Sequence, residues 1–366
     1  MTISFYRLVV VLVASVLLCP ATARAAEPPV TALAISPDGR FVVAGSQGGL
    51  VVRDWPGLVV VRRIETELEH VHDLAFAPGG RRLAVAGGAP AEEGRVEILG
   101  WPDGMRQRVL GGHDDLVYDV AFSSDGGRLV CVSLDRTMSL FNVRNGRRLR
   151  AFGGHSRGVT AVGFLPGDQR LVTASRDHSL RLWAVSDGRV IRVLDNHTAP
   201  VHALAVRPAT AAGAPPWVAT VAQDRTLRLW QPTIGRLVRF ARLPSPPLAV
   251  GWTRDGRRVV TSCVDGHVRV VDAATVKVVV DIAALDGWGY SLAVHPAGRA
   301  AVVGGPGGRV VKVRIEDPKA RPEGRGRSEV PLKNPRTASG SGSTAGGAPV
   351  RSSASSRVSR RRRDAS

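Results

Sequence analysis

The sequence predicts an all-β protein, a seven-bladed β-propeller of four-stranded antiparallel blades whose last blade has four or three strands. Three observations carry that expectation. A turn motif recurs along the body with a period near 42 residues, a histidine marker runs in step with it, and an aspartate marker is followed at a fixed distance by a large apolar residue. Chance rarely puts three markers on one period, and periods of this length with several short strands per unit are the signature of a propeller.

The turn motif reads ISPDGR at 35–40, APGGRR at 77–82, SSDGGR at 123–128, LPGDQR at 165–170, TRDGRR at 253–258 and HPAGR at 295–299. A further copy, VRP at 206–208, is interrupted by ATAAGAPP. Seven copies therefore occupy residues 30–316. His113, His155 and His197 are 42 residues apart, with His70 43 residues before the first of them. Asp135, Asp177, Asp224 and Asp265 each follow a short apolar segment, and six residues beyond them stand Phe141, Trp183, Trp230 and Val271.

The fourth unit shows the local pattern best. Strands are expected at 159–164, 171–174, 180–184 and 190–194, separated by turn residues such as Pro166-Gly167-Asp168 and Ser186-Asp187-Gly188. Outside residues 8–18 no segment sustains a 3.6-residue apolar period, so helices are not expected in the body.

LRLWAV at 180–185 and LRLWQP at 227–232, with the histidine and aspartate upstream, resemble WD repeats. The resemblance covers residues 30–316 and departs from the family in places: Trp fills its slot only at Trp183 and Trp230, and the name-giving Asp stands only at Asp54 and Asp272. It implies a buried hydrogen-bonded chain in each blade, running through His, a hydroxyl, Asp and Trp. The chain would use His155, Thr173 or Ser175, Asp177 and Trp183 in unit four, and His197, Thr220, Asp224 and Trp230 in unit five. Unit three would use His113, Ser133 and Asp135 but lose its last link to Phe141. A carboxylate is an acceptor only, so an aspartate in a tight turn can hold the imidazole. The same residue types suggest a hydrolase triad; repetition in three units argues for a structural role, and no catalytic residue, metal ligand set or cofactor is expected.

The family's usual role implies binding of other proteins through the propeller rim, by a monomeric ring. Arg136, Arg176, His178 and Arg225 flank the unit aspartates and are expected to form a basic arc near the central channel. Trp55 and Trp101 occupy matched third-to-fourth-strand turns, as blade-packing aromatics or as a stacking surface for a sugar or peptide. A glycan- or polymer-binding propeller is the alternative reading. An enzyme with its site in the channel would need convergent perturbed acids or a metal there. His70 and His72 form an HxH pair, with His70 already accounted for by the repeat register.

The net charge of +19 comes almost wholly from arginine, a bias that a GC-rich genome would produce and that also favours anionic neighbours. Cys131 and Cys263 lie in different units and are expected to be small buried hydrophobes. Residues 1–25 have the anatomy of a secretory signal peptide, with an 11-residue apolar run and small residues at a cleavage site. That places the body in the periplasm or outside the cell, with an N-terminally anchored form as the alternative. Residues 317–333 read as a linker or a closing strand at 327–332. Residues 334–366 read as a disordered basic tail ending in Arg360, Arg361, Arg362 and Arg363, able to sit on an anionic envelope polymer.

Overall fold

The computed structural model describes residues 27–209 and 213–316, and the fold class is the one the sequence predicts. Among the described residues seven antiparallel sheets follow one another, six of four strands and the last of three. Blade 4 consists of Val159–Phe164, Arg170–Ser175, Leu180–Ala184 and Val190–Leu194, in that order from the channel outwards. The innermost strand of each blade packs against that of the next, and the strand at Ser291–Val294 of blade 7 packs against Ala32–Ile35 of blade 1, so the ring is closed.

Burial follows position in the blade. Second strands lie between two neighbouring blades and are apolar on both faces: Val218–Ala222 of blade 5 is buried throughout. Outer strands pack little on either face, and Val190–Leu194 is exposed at every position but Leu194. Neither Cys131 nor Cys263 is in a disulfide, and both are buried.

Arginines on the outer strands join blade to blade. Arg62, Arg108, Arg150, Arg192 and Arg239 stand opposite Val52, Ile98, Leu140, Leu182 and Leu229, the same register position in five blades. Arg108 donates to the carbonyls of Arg144 and Asn145 in the next blade's third-to-fourth-strand turn. Arg150 does the same to Ser186 and Asp187, Arg239 to Ala273, and Arg62 to Pro102. Arg192 lies against Gly235 in the equivalent turn of blade 5, where a Cβ would sit 2.5 Å from its Cδ. Blade 6 has Val280 at this position. Part of the arginine excess is therefore a fourth periodic marker with a structural task.

Ring closure uses hydrogen bonds as well as packing between blades 7 and 1. Val30 donates to the Gly305 carbonyl at 3.0 Å, Gly308 donates to Pro28, and Ser291 Oγ donates to the Val30 carbonyl at 2.9 Å. The His295 ring stacks on Trp55 with centroids 4.0 Å apart, and its Nε2 lies 3.1 Å from the Gly39 carbonyl. Gly39 has φ 72°, and a side chain there would meet the His295 ring. Lys312 Nζ caps the Trp55 and Pro56 carbonyls and lies 5.2 Å above the Trp55 ring. The closing strand considered at 327–332 lies outside the described residues, as do residues 1–25, read as a signal peptide, and residues 334–366, read as a basic tail.

Candidate functional site

Two sets of polar residues organise the ring: hydrogen-bond chains inside the blades and a layer of side chains at one mouth of the channel. In blade 4, Trp183 Nε1 donates to Thr173 Oγ1 at 2.9 Å, Thr173 lies 2.8 Å from His155 Nε2, and His155 Nδ1 lies 2.8 Å from Asp177 Oδ2. Blade 5 repeats this with Trp230, Thr220, His197 and Asp224, each link 2.8 Å long. The donors all point one way, from indole to hydroxyl to imidazole to carboxylate, and this works only with a neutral imidazole carrying its proton on Nδ1. Burial lowers the His197 pKa in agreement with that state. Burial works against ionisation of Asp135, Asp177 and Asp224, but the hydrogen bonds from histidine and a nearby hydroxyl outweigh it, so each carboxyl sits below the usual range.

Ser133 and Ser175 hold a different post from the one expected. Each accepts from the backbone N–H of its blade's aspartate and donates to main-chain carbonyls of the incoming link: Ser133 to Asp115, Ser175 to Arg157 and Gly158. In blade 3 the relay slot belongs to Cys131, whose Sγ lies 3.5 Å from His113 Nε2, while His113 Nδ1 lies 2.8 Å from Asp135. Burial pushes the Cys131 thiol up to about 12, so it remains an S–H donor. The replacement Cys131→Thr is expected to stabilise the protein by about 1 kcal/mol, because a hydroxyl is the stronger donor to His113. Equilibrium denaturation of the variant measures this, and a destabilised variant would count against the relay assignment.

The hydroxyl two residues past each aspartate went unread in the sequence. Thr137, Ser179 and Thr226 donate to the outer carboxylate oxygen of Asp135, Asp177 and Asp224 at 2.6, 2.7 and 2.6 Å. The D-x-S/T spacing was available as its signal. Blade 6 replaces the histidine by Arg269, 2% exposed, which forks onto Asp265 and also reaches Asp281. Blade 2 has neither. His70 falls out of register, because Val71 pairs with Gly87 as Val117 pairs with Ser133, which places Glu67 in the histidine slot. His70 instead meets Gln47 and stacks on His72.

At the channel mouth one residue per blade takes the same position in the innermost strand: Thr31, His72, Tyr118, Thr160, His202, Leu248 and Tyr290. In blades 2 to 6 the pairing register shifts there, so each of these residues is the extra one of a β-bulge. A bulge re-aims its side chain, and here it turns five of them inwards. The cavity beneath has a volume of about 660 Å³. His72 stacks on Tyr118 at 4.9 Å, and the Arg176 guanidinium lies over the Tyr118 ring, 5.6 Å from its centroid. Across the cavity stand Trp288, 50% exposed, and Tyr290.

Of the expected basic arc, only Arg176 lines this cavity. It precedes its blade's aspartate, whereas Arg136, His178 and Arg225 follow theirs at the turn tips with φ 76°, 72° and 62°. Trp55 and Trp101 are seam residues rather than a shared surface. Trp55 belongs to the closure between blades 7 and 1, and Trp101 packs edge-on against Phe41 and Phe76 between blades 1 and 2.

One layer deeper, Asp73 and Asp119 meet in the channel wall. Two carboxylates cannot hydrogen-bond without a proton, and burial holds both above the ordinary range, Asp119 well above it with the neighbouring charge of Asp73 added. Each also accepts a backbone N–H from the next blade, Val120 onto Asp73 at 3.1 Å and Val162 onto Asp119 at 2.7 Å. Among the described residues no cluster of three or more His, Cys, Asp and Glu has metal-ligand geometry.

The tryptophan-to-aspartate chain repeated in blades 4 and 5 and shortened in blade 3 is matched by a family model. The model for WD40, described as "WD domain, G-beta repeat", matches residues 19–52, 104–142, 146–184 and 188–231. The chain carries WD40 repeats. An uncharacterized WD repeat-containing protein of Synechocystis sp. is 36% identical over 114 residues, 31% of either chain. A WD repeat-containing protein of Schistosoma mansoni is 34% identical over 119 residues, 31% of this chain and 36% of that one. The intraflagellar transport protein 122 homolog of Xenopus tropicalis is 37% identical over 73 residues, 20% of this chain and 6% of that one. The matched stretches thus span about a third or less of these relatives. Each of the last three segments matched by the family model takes in the outer strand of one blade and the inner three strands of the next, and together they contain the hydrogen-bond chains of blades 3, 4 and 5.

Proposed function

We propose that this WD40 propeller is a non-catalytic, monomeric protein-interaction scaffold of the bacterial envelope, exported by a signal peptide at residues 1–25. One observation carries the scaffold reading: His72, Tyr118, His202, Leu248 and Tyr290 line the channel mouth, while Thr31 and Thr160 at the same position and the polar groups below are committed to holding blades together. A surface freed from structural duty in this way can serve recognition. The channel-enzyme reading has Asp73 and Asp119 in its favour, but both carboxyls accept main-chain donors of adjoining blades, which accounts for them without chemistry. The glycan reading loses support because Trp55 and Trp101 are used in blade seams. The basic tail at Arg360, Arg361, Arg362 and Arg363 would add contact with an anionic envelope polymer, weakened by salt.

Affinity capture from the native envelope fraction tests this, using the exported chain with and without residues 334–366. Specific proteins retained by both forms, in competition with a channel-mouth variant, are the expected result. Retention of glycans alone, or of nothing, would overturn it. Mass determination of the mature N-terminus tests export, with cleavage after Ala25 expected.

A further inference from the structure

Blade 7 ends in an open edge, and its register shows what can complete it; this step rests on the scaffold reading and on cleavage after Ala25. Its last strand, Val310–Arg314, has no fourth strand beside it among the described residues. Gly305 donates to the Arg309 carbonyl and Ile315 to the Arg299 carbonyl, so Arg309 and Ile315 bond inwards. By alternation the main-chain groups of Val310, Lys312 and Arg314 face the edge. Gly308, on the same side, donates to Pro28, where the chain enters blade 1. The seams on either side are arranged without a fourth strand. Lys312 takes the register position of Val52, Leu140 and Leu182, and its ammonium caps the Trp55 and Pro56 carbonyls, a task for outer-strand arginines elsewhere. Blade 6 has Val280 where an arginine would reach for the next blade's turn. The edge can therefore be filled and emptied without opening the ring.

The chain's own spacing does not fill it. In blades 1 to 6 the tenth residue beyond the third strand is Ile64, Leu110, Phe152, Leu194, Ala241 or Ile282. Each pairs with a buried third-strand residue, Ile64 with Leu50 and Leu194 with Leu180 for example. The tenth residue beyond Arg314 is Gly324, and Pro322 stands in the arginine's place. Glycine brings no side chain to bury, and proline no N–H for the ladder. Val310, the counterpart of Leu50 and Leu180, is only half-buried. Cleavage after Ala25 removes the segment upstream of Pro28 that could lie along the same edge. A second copy fits poorly, because antiparallel pairing of two such edges sets Lys312 and Arg314 against their like.

We propose that the open edge of blade 7 takes an extended segment of a partner protein as its fourth strand, with a large apolar side chain opposite Val310 and an acidic one opposite Lys312. The apolar residue takes the place that Leu194 holds in blade 4, and the acid, two residues before it, the place of Arg192. The ammonium has three donors, and two carbonyls leave one for a carboxylate. Main-chain hydrogen bonds supply affinity and the two side chains selectivity. No acid in residues 317–366 is followed two places later by a large apolar residue, so the tail does not carry this pattern itself.

The test is a surface array of short random peptides probed with the labelled mature chain, residues 26–366. Selected peptides are expected to carry an acid two places before a large apolar residue. Bound peptide should slow amide exchange at Val310, Lys312 and Arg314. Val310→Asp should lower retention at least tenfold. Lys312→Arg should keep the acid preference, and Lys312→Glu should replace it by a preference for lysine or arginine at the same place. Circular dichroism and thermal melting show that each variant is folded, and Lys312→Arg guards against a fold defect in the others. The double variant Val330→Asp, Leu332→Asp should bind as wild type does; a tenfold gain would mean that residues 327–332 occupy the edge, and would overturn the proposal. An unchanged acid preference in Lys312→Glu, or selected peptides without the acid–apolar spacing, also overturns it and leaves the scaffold reading standing. So does a mature N-terminus upstream of residue 19, which would give the edge a strand of its own. Binding of no peptide overturns the proposal, and only if envelope capture fails as well does the scaffold reading fall with it.

Discussion

Replacing Asp224 by alanine is expected to lower the unfolding free energy by about 3–5 kcal/mol, since several buried donors lose a charged acceptor together at about 1–3 kcal/mol each. The carboxylate of Asp224 is 5% exposed. It holds His197 at 2.8 Å, the backbone N–H of Thr198 and Thr226, and the Thr226 hydroxyl at 2.6 Å. Alanine would leave the His197 Nδ1–H buried and unpaired and would disorient the Thr220 and Trp230 links behind it. The turn around φ 62° at Arg225 would lose its side-chain support as well. Asp224→Asn retains one acceptor and should cost about half as much. Denaturant titration with hydrogen exchange checks both numbers and place, with protection lost first in blade 5 and the faces it packs on. A loss below 1 kcal/mol would mean the chain is decoration on a ring held by apolar packing alone.

The second large effect is a change in pH dependence on replacing Asp119 by asparagine. The folded-state pKa values of Asp73 and Asp119 lie above the unfolded value of 3.8. Their contribution is therefore fully present below about pH 4 and is lost as pH rises through the raised values, where a second charge must form in the channel wall. Asparagine supplies an N–H donor to Asp73 at every pH and keeps one oxygen to accept from Val162, giving up the acceptor that Asp119 Oδ1 offers Val120, whose N–H keeps its bond to Asp73. Both groups are partly open to the cavity, so solvent reduces the effect, and we expect Asp119→Asn to gain about 1–2 kcal/mol over wild type at high pH. At pH 4 the two proteins should be alike. The acid limb should be the same in both, because it belongs to Asp135, Asp177 and Asp224. Their folded pKa values are depressed, so their contribution is lost as pH falls below the ordinary carboxylate range. Melting curves from pH 3 to pH 10 decide the matter, and parallel curves for the two proteins would show that no proton is shared.

Features confined to one blade were legible in the chain. The turn motif, the histidine and aspartate markers and the apolar segments repeat because each blade solves the same local problem, and strand positions in blade 4 follow directly from them. Misreadings arose where one residue of offset mattered. His70 keeps the spacing of the repeat to within one residue, yet pairing at Val71 and Gly87 puts it outside the chain. Ser133 and Cys131 are two residues apart on the same strand and so share a face, and only the distance to His113 in the folded ring tells them apart.

The blade count and the strand order are thus properties of the sequence itself, since short-range alternation and turn chemistry define them. Which side chains reach the channel is a property of the assembled ring. Bulges at His72, Tyr118, Thr160, His202 and Leu248 rotate those residues inwards, and a bulge leaves no mark in composition or period. The same holds for Arg176 against its neighbours in the expected arc, and for Trp55, whose partners Lys312 and His295 come from the far end of the ring. Contacts between residues some 240–260 positions apart exist only once seven sheets have closed on one another, so the site was decided by tertiary structure.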